Sequence, residues 1–152
     1  MRRDTRLSGM LHLLLHMAER GGACTSEQLA GYMDTNPVVV RRTMAGLRDA
    51  GIVMSEKGHG GGWRLARELA DISLAEVHLA LGAPALFAFG NRNEQPRCLV
   101  EQAVNSALDD TLGEAEALIR ARLSTISLKD IAEDFRERMK RHPQGAKGAV
   151  HV

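Results

Sequence analysis

Asn36-Pro37-Val38-Val39-Val40-Arg41-Arg42 opens the stretch that decides how this chain is read, and Lys57-Gly58-His59-Gly60-Gly61-Gly62-Trp63-Arg64-Leu65 closes it. Asn is a favoured N-cap, and Pro at the first helical position gives up no hydrogen bond there. Gly51 suits the left-handed residue that commonly ends a helix. A helix is therefore predicted from Pro37 to about Ala50. Within it Val40, Met44 and Leu47 fall at i, i+4 and i+7, the spacing of a buried stripe. At about 100° per residue, Val38, Arg42, Ala45 and Asp49 lie near the opposite side, with Arg41 on the flank. A helix N-terminus that offers amides, two arginines and small side chains suits the major groove of DNA. Alone, the same pattern also describes a solvated surface helix.

The residues that follow narrow the choice. Ile52-Val53-Met54-Ser55 and Trp63-Arg64-Leu65-Ala66 read as two short strands joined by the glycine loop. Glycine permits positive φ and close approach of backbone to phosphate, while Lys57, His59 and Arg64 supply donors. A nucleotide-phosphate cradle is the competing reading of such a loop. It fails here because the loop runs into a strand, without the helix that both phosphate fingerprints need. Trp63 is expected to anchor this hairpin, or wing, by packing.

Working outward towards the N-terminus, Leu7, Leu11, Leu14 and Ala18 recur at helical spacing and Gly21-Gly22 ends the segment. Thr25-Ser26-Glu27-Gln28 is a capping box that opens a second helix through Leu29 and Ala30 to about Met33, and Asp34-Thr35 makes a tight turn. Three helices and a hairpin thus form one winged helix-turn-helix unit. Towards the C-terminus, Ser73-Leu74-Ala75-Glu76 caps a helix through Val77 and Leu81 to Gly82. Ala83 to Gln95 reads as a loop, and Pro96-Arg97-Cys98 as a helix start. Val100, Val104, Leu108, Leu112, Ala115, Ile119 and Leu123 then keep one apolar stripe, on a helix about 35–40 Å long if unbroken. A stripe of that length outside a three-helix unit is expected to face another subunit; packing against the first helix is the other possibility, and both can hold. Ser127-Leu128-Lys129-Asp130 caps a last helix with Ile131, Phe135 and Met139.

The predicted fold is mainly α with a two-stranded β wing. Its parts are a winged helix-turn-helix DNA-binding domain over 1–82, a loop over 83–97, a dimerisation helix and C-terminal helix over 98–140, and a disordered tail over 141–152. Composition agrees. The chain has 152 residues, with one Trp, one Tyr and three Phe, so its core must come from aliphatic side chains and Met, which favours helices. The formal net charge of +1 says nothing about nucleic acid, but its distribution does. Residues 36–67 hold six basic and two acidic side chains, whereas 101–140 hold nine acidic and six basic. A basic front fits a phosphate partner. Two cysteines, Cys24 and Cys98, show no disulfide pattern, and no apolar run is long enough to span a bilayer. With no signal peptide recognisable, the expected location is the cytoplasm.

These residues carry a resemblance. The runs Arg6-Leu7-Ser8 with Leu11-His12 and Leu15-His16-Met17-Ala18, Thr35 through Arg42, Leu47 through Val53, Lys57 through Ala66, and Ile72 through Val77 resemble the Rrf-two family of bacterial winged-helix transcription regulators, and within it a YwnA-like branch. The likeness covers the first half of the chain strongly and the long helix more loosely. It implies a homodimer on a near-palindromic operator in double-stranded DNA, with a repressor the expected form. The third helices would enter successive major grooves and the wings flanking minor grooves. Thr35, Asn36, Val38, Arg41 and Arg42 would make the first contacts, with Lys57, His59 and Arg64 in the wing.

The sequence also departs from that pattern. Several members carry an iron–sulfur cluster on three cysteines in the loop before the long helix, and some add an acidic ligand that falls here at about Ser8. Only Cys98 lies in this region, and one thiolate cannot supply the usual ligand set. No cofactor is expected, a cluster least of all. Cys98, at a helix start beside Arg97, has the setting of a redox switch; a buried structural thiol, or the remnant of a lost cluster, is the plainer reading. Cys24 is expected to be a small packing residue. His12 and His16 stand at i and i+4, a spacing able to hold zinc, with no third ligand nearby in sequence, so surface histidines are the default. Neither a nucleophile–base pair nor paired carboxylates are present, so no enzyme is expected. The alternative to a DNA reader is a winged-helix module that binds protein or an unidentified effector without reading DNA.

Overall fold

A computed structural model of the chain describes residues 4–87 and 90–141. The elements follow in the order α1 (Arg6–Arg20), α2 (Ser26–Met33), α3 (Pro37–Asp49), β1 (Val53–Glu56), β2 (Gly62–Leu65), a 3-10 turn (Leu69–Asp71), α4 (Leu74–Ala80), α5 (Leu99–Ser124) and α6 (Leu128–Arg141). The described residues thus form six α-helices and one two-stranded antiparallel sheet.

Local chemistry sets most of the boundaries. The Thr25 hydroxyl accepts from the Gln28 amide while the Gln28 side chain accepts from the Thr25 amide, closing the capping box of α2. Ser73 and Glu76 do the same for α4, and Ser127 with Asp130 for α6. Asn36 Oδ1 accepts from the amides of Val38 and Val39, each at 3.0 Å, so two of the orphan amides of α3 are satisfied by one side chain. Gly51 ends α3 with φ +70°, and its amide donates to the Arg48 carbonyl at 2.9 Å.

The strands sit one residue away from their predicted ends, towards the hairpin tip, because Glu56 pairs with Gly62 there. At the other end the Ala66 amide still donates to the Ile52 carbonyl at 3.0 Å. On α1 the face differs from the one that spacing suggested. Met10, Leu13, Leu14 and Met17 are its buried residues, while Leu7 and Leu11 are half-buried and line a shallow apolar groove with Leu15, Leu74, Leu123 and Ile131. Two overlapping apolar stripes exist on this helix, and the core takes the one facing α2, β2 and α4.

One core joins Met10, Leu13, Leu14 and Met17 to Leu29, Val40, Met44, Leu47, Ile52, Ile72 and Val77. Burying each such side chain is worth roughly 1.5–3 kcal/mol relative to exposure. Leu128 of α6 enters the same core, and the Leu128 amide donates to the Ile72 carbonyl at 2.9 Å. The C-terminal helix therefore returns to the first half of the chain, where the Arg136–Glu19 ion pair at 2.9 Å fastens it to α1. The intervening α5 lies against α4 with Asn105 as its single buried residue. Of the predicted tail, residues 142–152 lie outside the described residues.

Candidate nucleic-acid interface

The start of α3 and the wing are exposed surfaces tied to the same core. Val40, Met44 and Leu47 are fully buried, which fixes the rotation of α3 about its axis. The opposite face is thereby turned to solvent: Val38 is 66% exposed and Val39 44%, and Arg41 and Arg42 are exposed beside them. Thr35 and Asn36 stand at the entry to this helix. The Thr35 amide donates to the Ala30 carbonyl at 3.1 Å, closing the turn that Asp34 makes at φ 47°.

The two arginines are not equivalent. Arg41 lies 3.5 Å from Glu27 of α2, an exposed pair that orients its guanidinium across the helix-turn-helix. Arg42 has no ion-pair partner among the described residues. Such a surface pair is worth no more than ~1 kcal/mol, so Arg41 remains available to a phosphate.

The wing is held at its base. Trp63 is buried, its indole N–H donates to Ser26 Oγ at 3.1 Å, and its backbone exchanges two 2.8 Å hydrogen bonds with Cys24. Gly62 belongs to this arrangement because a Cβ there would stand 2.4 Å from the Cys24 carbonyl oxygen. At the tip Lys57 and His59 are exposed. Arg64 is on the outward face of β2, opposite Met54, and pairs with Glu56 at 3.0 Å. The structure thus brings Thr35, Asn36, Val38, Arg41 and Arg42 together at one helix end, with Lys57 and His59 on the tip of a hairpin fixed to α2. Val39, Glu27 and Glu56 escaped the sequence reading. Val39 was open to helical geometry; the two carboxylates reach their arginines only through the tertiary fold.

Cys98 is the N-cap residue of α5 and is exposed. The amides of Glu101 and Val100 hold its thiol below the usual cysteine range. The helix end, rather than the neighbouring Arg97, supplies the shift. Cys24 is buried in the core, and that burial pushes its thiol up.

Comparison with known proteins places this geometry. The family model Rrf2, described as an iron-dependent transcriptional regulator, matches residues 3–134. The chain belongs to the Rrf2 family. Its relative YwnA of Bacillus subtilis, named as an HTH-type transcriptional regulator, is 35% identical over 84% of this chain and 95% of YwnA. A crystal structure described as a DNA-binding protein is 34% identical, with a TM-score of 0.63 over 83% of this chain and 97% of that one. CymR, the global cysteine regulator of B. subtilis, shares the fold at 19% identity, with a TM-score of 0.62 over 88% of this chain and 97% of CymR. This Rrf2 chain is accordingly a DNA-binding transcriptional regulator with a winged-helix fold, and not an enzyme. No described helix is long and apolar enough to cross a membrane.

Iron held as a cluster needs a set of donor side chains. Cysteine-held clusters use thiolate sets that this Rrf2 chain cannot assemble from two cysteines. Cys24 is built into the junction of core and wing, which leaves Cys98 alone. These residues do not fit an iron–sulfur cluster.

Proposed function

We propose that this protein is a homodimeric repressor that reads a near-palindromic operator, with α3 in the major groove and the wing in the flanking minor groove. The observation that carries this reading is the exposed Val38–Arg42 end of α3, standing with the Lys57–His59 wing tip on one rigidly tied unit. Phosphate contacts would come from Arg41, Lys57, His59, Arg64 and the amides near Thr35 and Asn36. Arg42 and Val38 would meet base edges. A regulator of bacterial genes acts where the chromosome lies, in the cytoplasm.

The homodimer is supported by α5. Leu99, Val100 and Val104 are 78%, 72% and 51% exposed on its first turns, and Leu118 is 73% exposed further along. Apolar surface of that extent on a 26-residue helix marks an interaction face. Two-fold symmetry in the protein then demands a two-fold operator.

The protein works without an iron–sulfur cluster, and the exposed, activated Cys98 is the point at which a thiol oxidant could act on it. Sulfenic acid or a mixed disulfide at the N-cap of α5 would alter the start of the proposed dimer helix.

Selection of DNA fragments on the purified protein tests the reading. The expected result is one enriched palindromic sequence, bound by a species of twice the chain mass, with affinity falling steeply as salt rises. Binding without sequence preference would refute operator reading, and a monomer on the enriched site would refute the dimer. Diamide should weaken binding by the wild type and leave Cys98→Ser unaffected, and an insensitive wild type would end the thiol switch.

A further inference from the structure

His12 and His16 lie one turn apart on α1, and their Nε2 atoms face each other at 2.9 Å. The rings meet edge to face with centroids 4.5 Å apart and an interplanar angle of 77°. His16 is held further by stacking on Tyr32 of α2, with centroids 5.0 Å apart and planes 14° from parallel. The second ring therefore has a fixed orientation, while the first stands at the exposed rim of the apolar groove beside Leu11 and Leu15. Two imidazole nitrogens 2.9 Å apart on one helix, one of them preorganised, can serve as a bidentate donor set once the proton between them moves away.

We propose that His12 and His16 form a binding site for a single divalent transition-metal ion that prefers ligands at right angles, Cu2+ or Ni2+. The angle follows from the separation. With metal–imidazole bonds of about 2.0–2.1 Å, nitrogens 2.9 Å apart subtend about 90° at the ion. That is the angle between neighbouring ligands in tetragonal and square-planar complexes, the preference of Cu2+ and Ni2+. A tetrahedral ion such as Zn2+ would need the nitrogens about 3.3–3.4 Å apart, so the pair would have to open.

The protonation states suit this. In the free pair one Nε2–H donates to the other Nε2. When an ion enters, the donating ring carries its proton on Nδ1 instead, and both rings bind as neutral imidazoles. Burial, together with the neighbouring His12, holds His16 below the usual histidine range. Among the described residues no group of three His, Cys, Asp or Glu side chains converges, so water completes the coordination. With only two protein ligands, affinity should follow the intrinsic order for such ions, with Cu2+ above Ni2+. This site is independent of DNA reading and of any iron–sulfur chemistry.

Calorimetric titration of the full-length Cys98→Ser protein provides the readout, because the exposed Cys98 thiol would itself bind and reduce Cu2+. Cu2+ binding to this protein should saturate at one ion per chain. His12→Asn, at an exposed position, should keep the fold by circular dichroism and weaken this binding by at least about tenfold, the least that loss of even an outer-shell partner costs a metal site. His16→Asn should do the same. Equal stoichiometry and equal affinity with and without His12→Asn would overturn the site. Tighter binding of Zn2+ than of Cu2+ or Ni2+ at the pair would overturn its right-angled geometry.

Discussion

The Trp63 indole N–H donates to Ser26 Oγ across 3.1 Å, joining the wing to the first turn of α2 although 37 positions separate the two residues in sequence. With the paired backbone of Cys24 and Trp63, this makes three hydrogen bonds at the wing's base. A hairpin of two four-residue strands is marginal by itself. Here it inherits the rigidity of the helical core, so the distance between wing tip and α3 is set by the fold.

Ser26→Ala leaves the buried indole N–H without its partner. The expected cost is about 1–3 kcal/mol, the desolvation penalty of an unsatisfied buried donor. Thermal melting should show it as a fall of roughly 2–4 °C per kcal/mol for a chain of this size. An unchanged melting temperature would mean that the bond contributes nothing to holding the wing.

Helix α3 was legible in the sequence because its signals are local. Asn36, Pro37 and Gly51 state the ends of α3 by capping chemistry, and Val40, Met44 and Leu47 state its buried face by spacing alone. The hairpin was legible from its glycines, with the strand ends displaced by one residue towards the tip, since the side chains there do not say where pairing stops. The face of α1 was not legible: Leu7 and Leu11 satisfy helical spacing as well as Met10 and Met17 do, and only the neighbours decide. Nor could sequence bring Leu128 to Ile72, or Glu27 to Arg41, because these meetings depend on tertiary packing. The convergence of His12 and His16 was visible as spacing, whereas their 2.9 Å approach and the Tyr32 stack required the fold.

Glu76 makes stability depend on pH in the acid range. Its carboxylate accepts from the Ser73 amide and from Arg67, which hold it below the usual carboxylate range, and Arg67 also donates to the carbonyls of Gly51 and Asp71. A lowered folded value contributes stability that is fully present above the ordinary carboxylate value and is lost as pH falls through the lowered one. Glu76→Gln should therefore be less stable than the wild type at neutral pH, with the difference shrinking towards zero in strong acid. Denaturant melts across the acid range measure this; a difference that stays constant with pH would contradict it.

The two thiols should separate cleanly by reactivity. Cys98 is exposed and its thiolate is favoured by the amides of α5, whereas Cys24 is buried and its thiolate disfavoured. Iodoacetamide near neutral pH should label Cys98 first and leave Cys24 until the protein unfolds. Mass spectrometry of the labelled peptides checks the order. Equal labelling of both, or preference for Cys24, would remove the basis for a thiol switch.

Operator binding by Arg42→Ala is the most direct measurement on the central claim that the exposed face of α3 reads base edges. Arg42 is solvent-facing with no ion-pair partner among the described residues, so its removal should leave stability unchanged. Affinity for the selected operator should fall by about 1–3 kcal/mol, the worth of a bidentate contact with a guanine edge, and base preference should relax at one position in each half-site. Unchanged affinity together with an unchanged preference at every position would contradict the account.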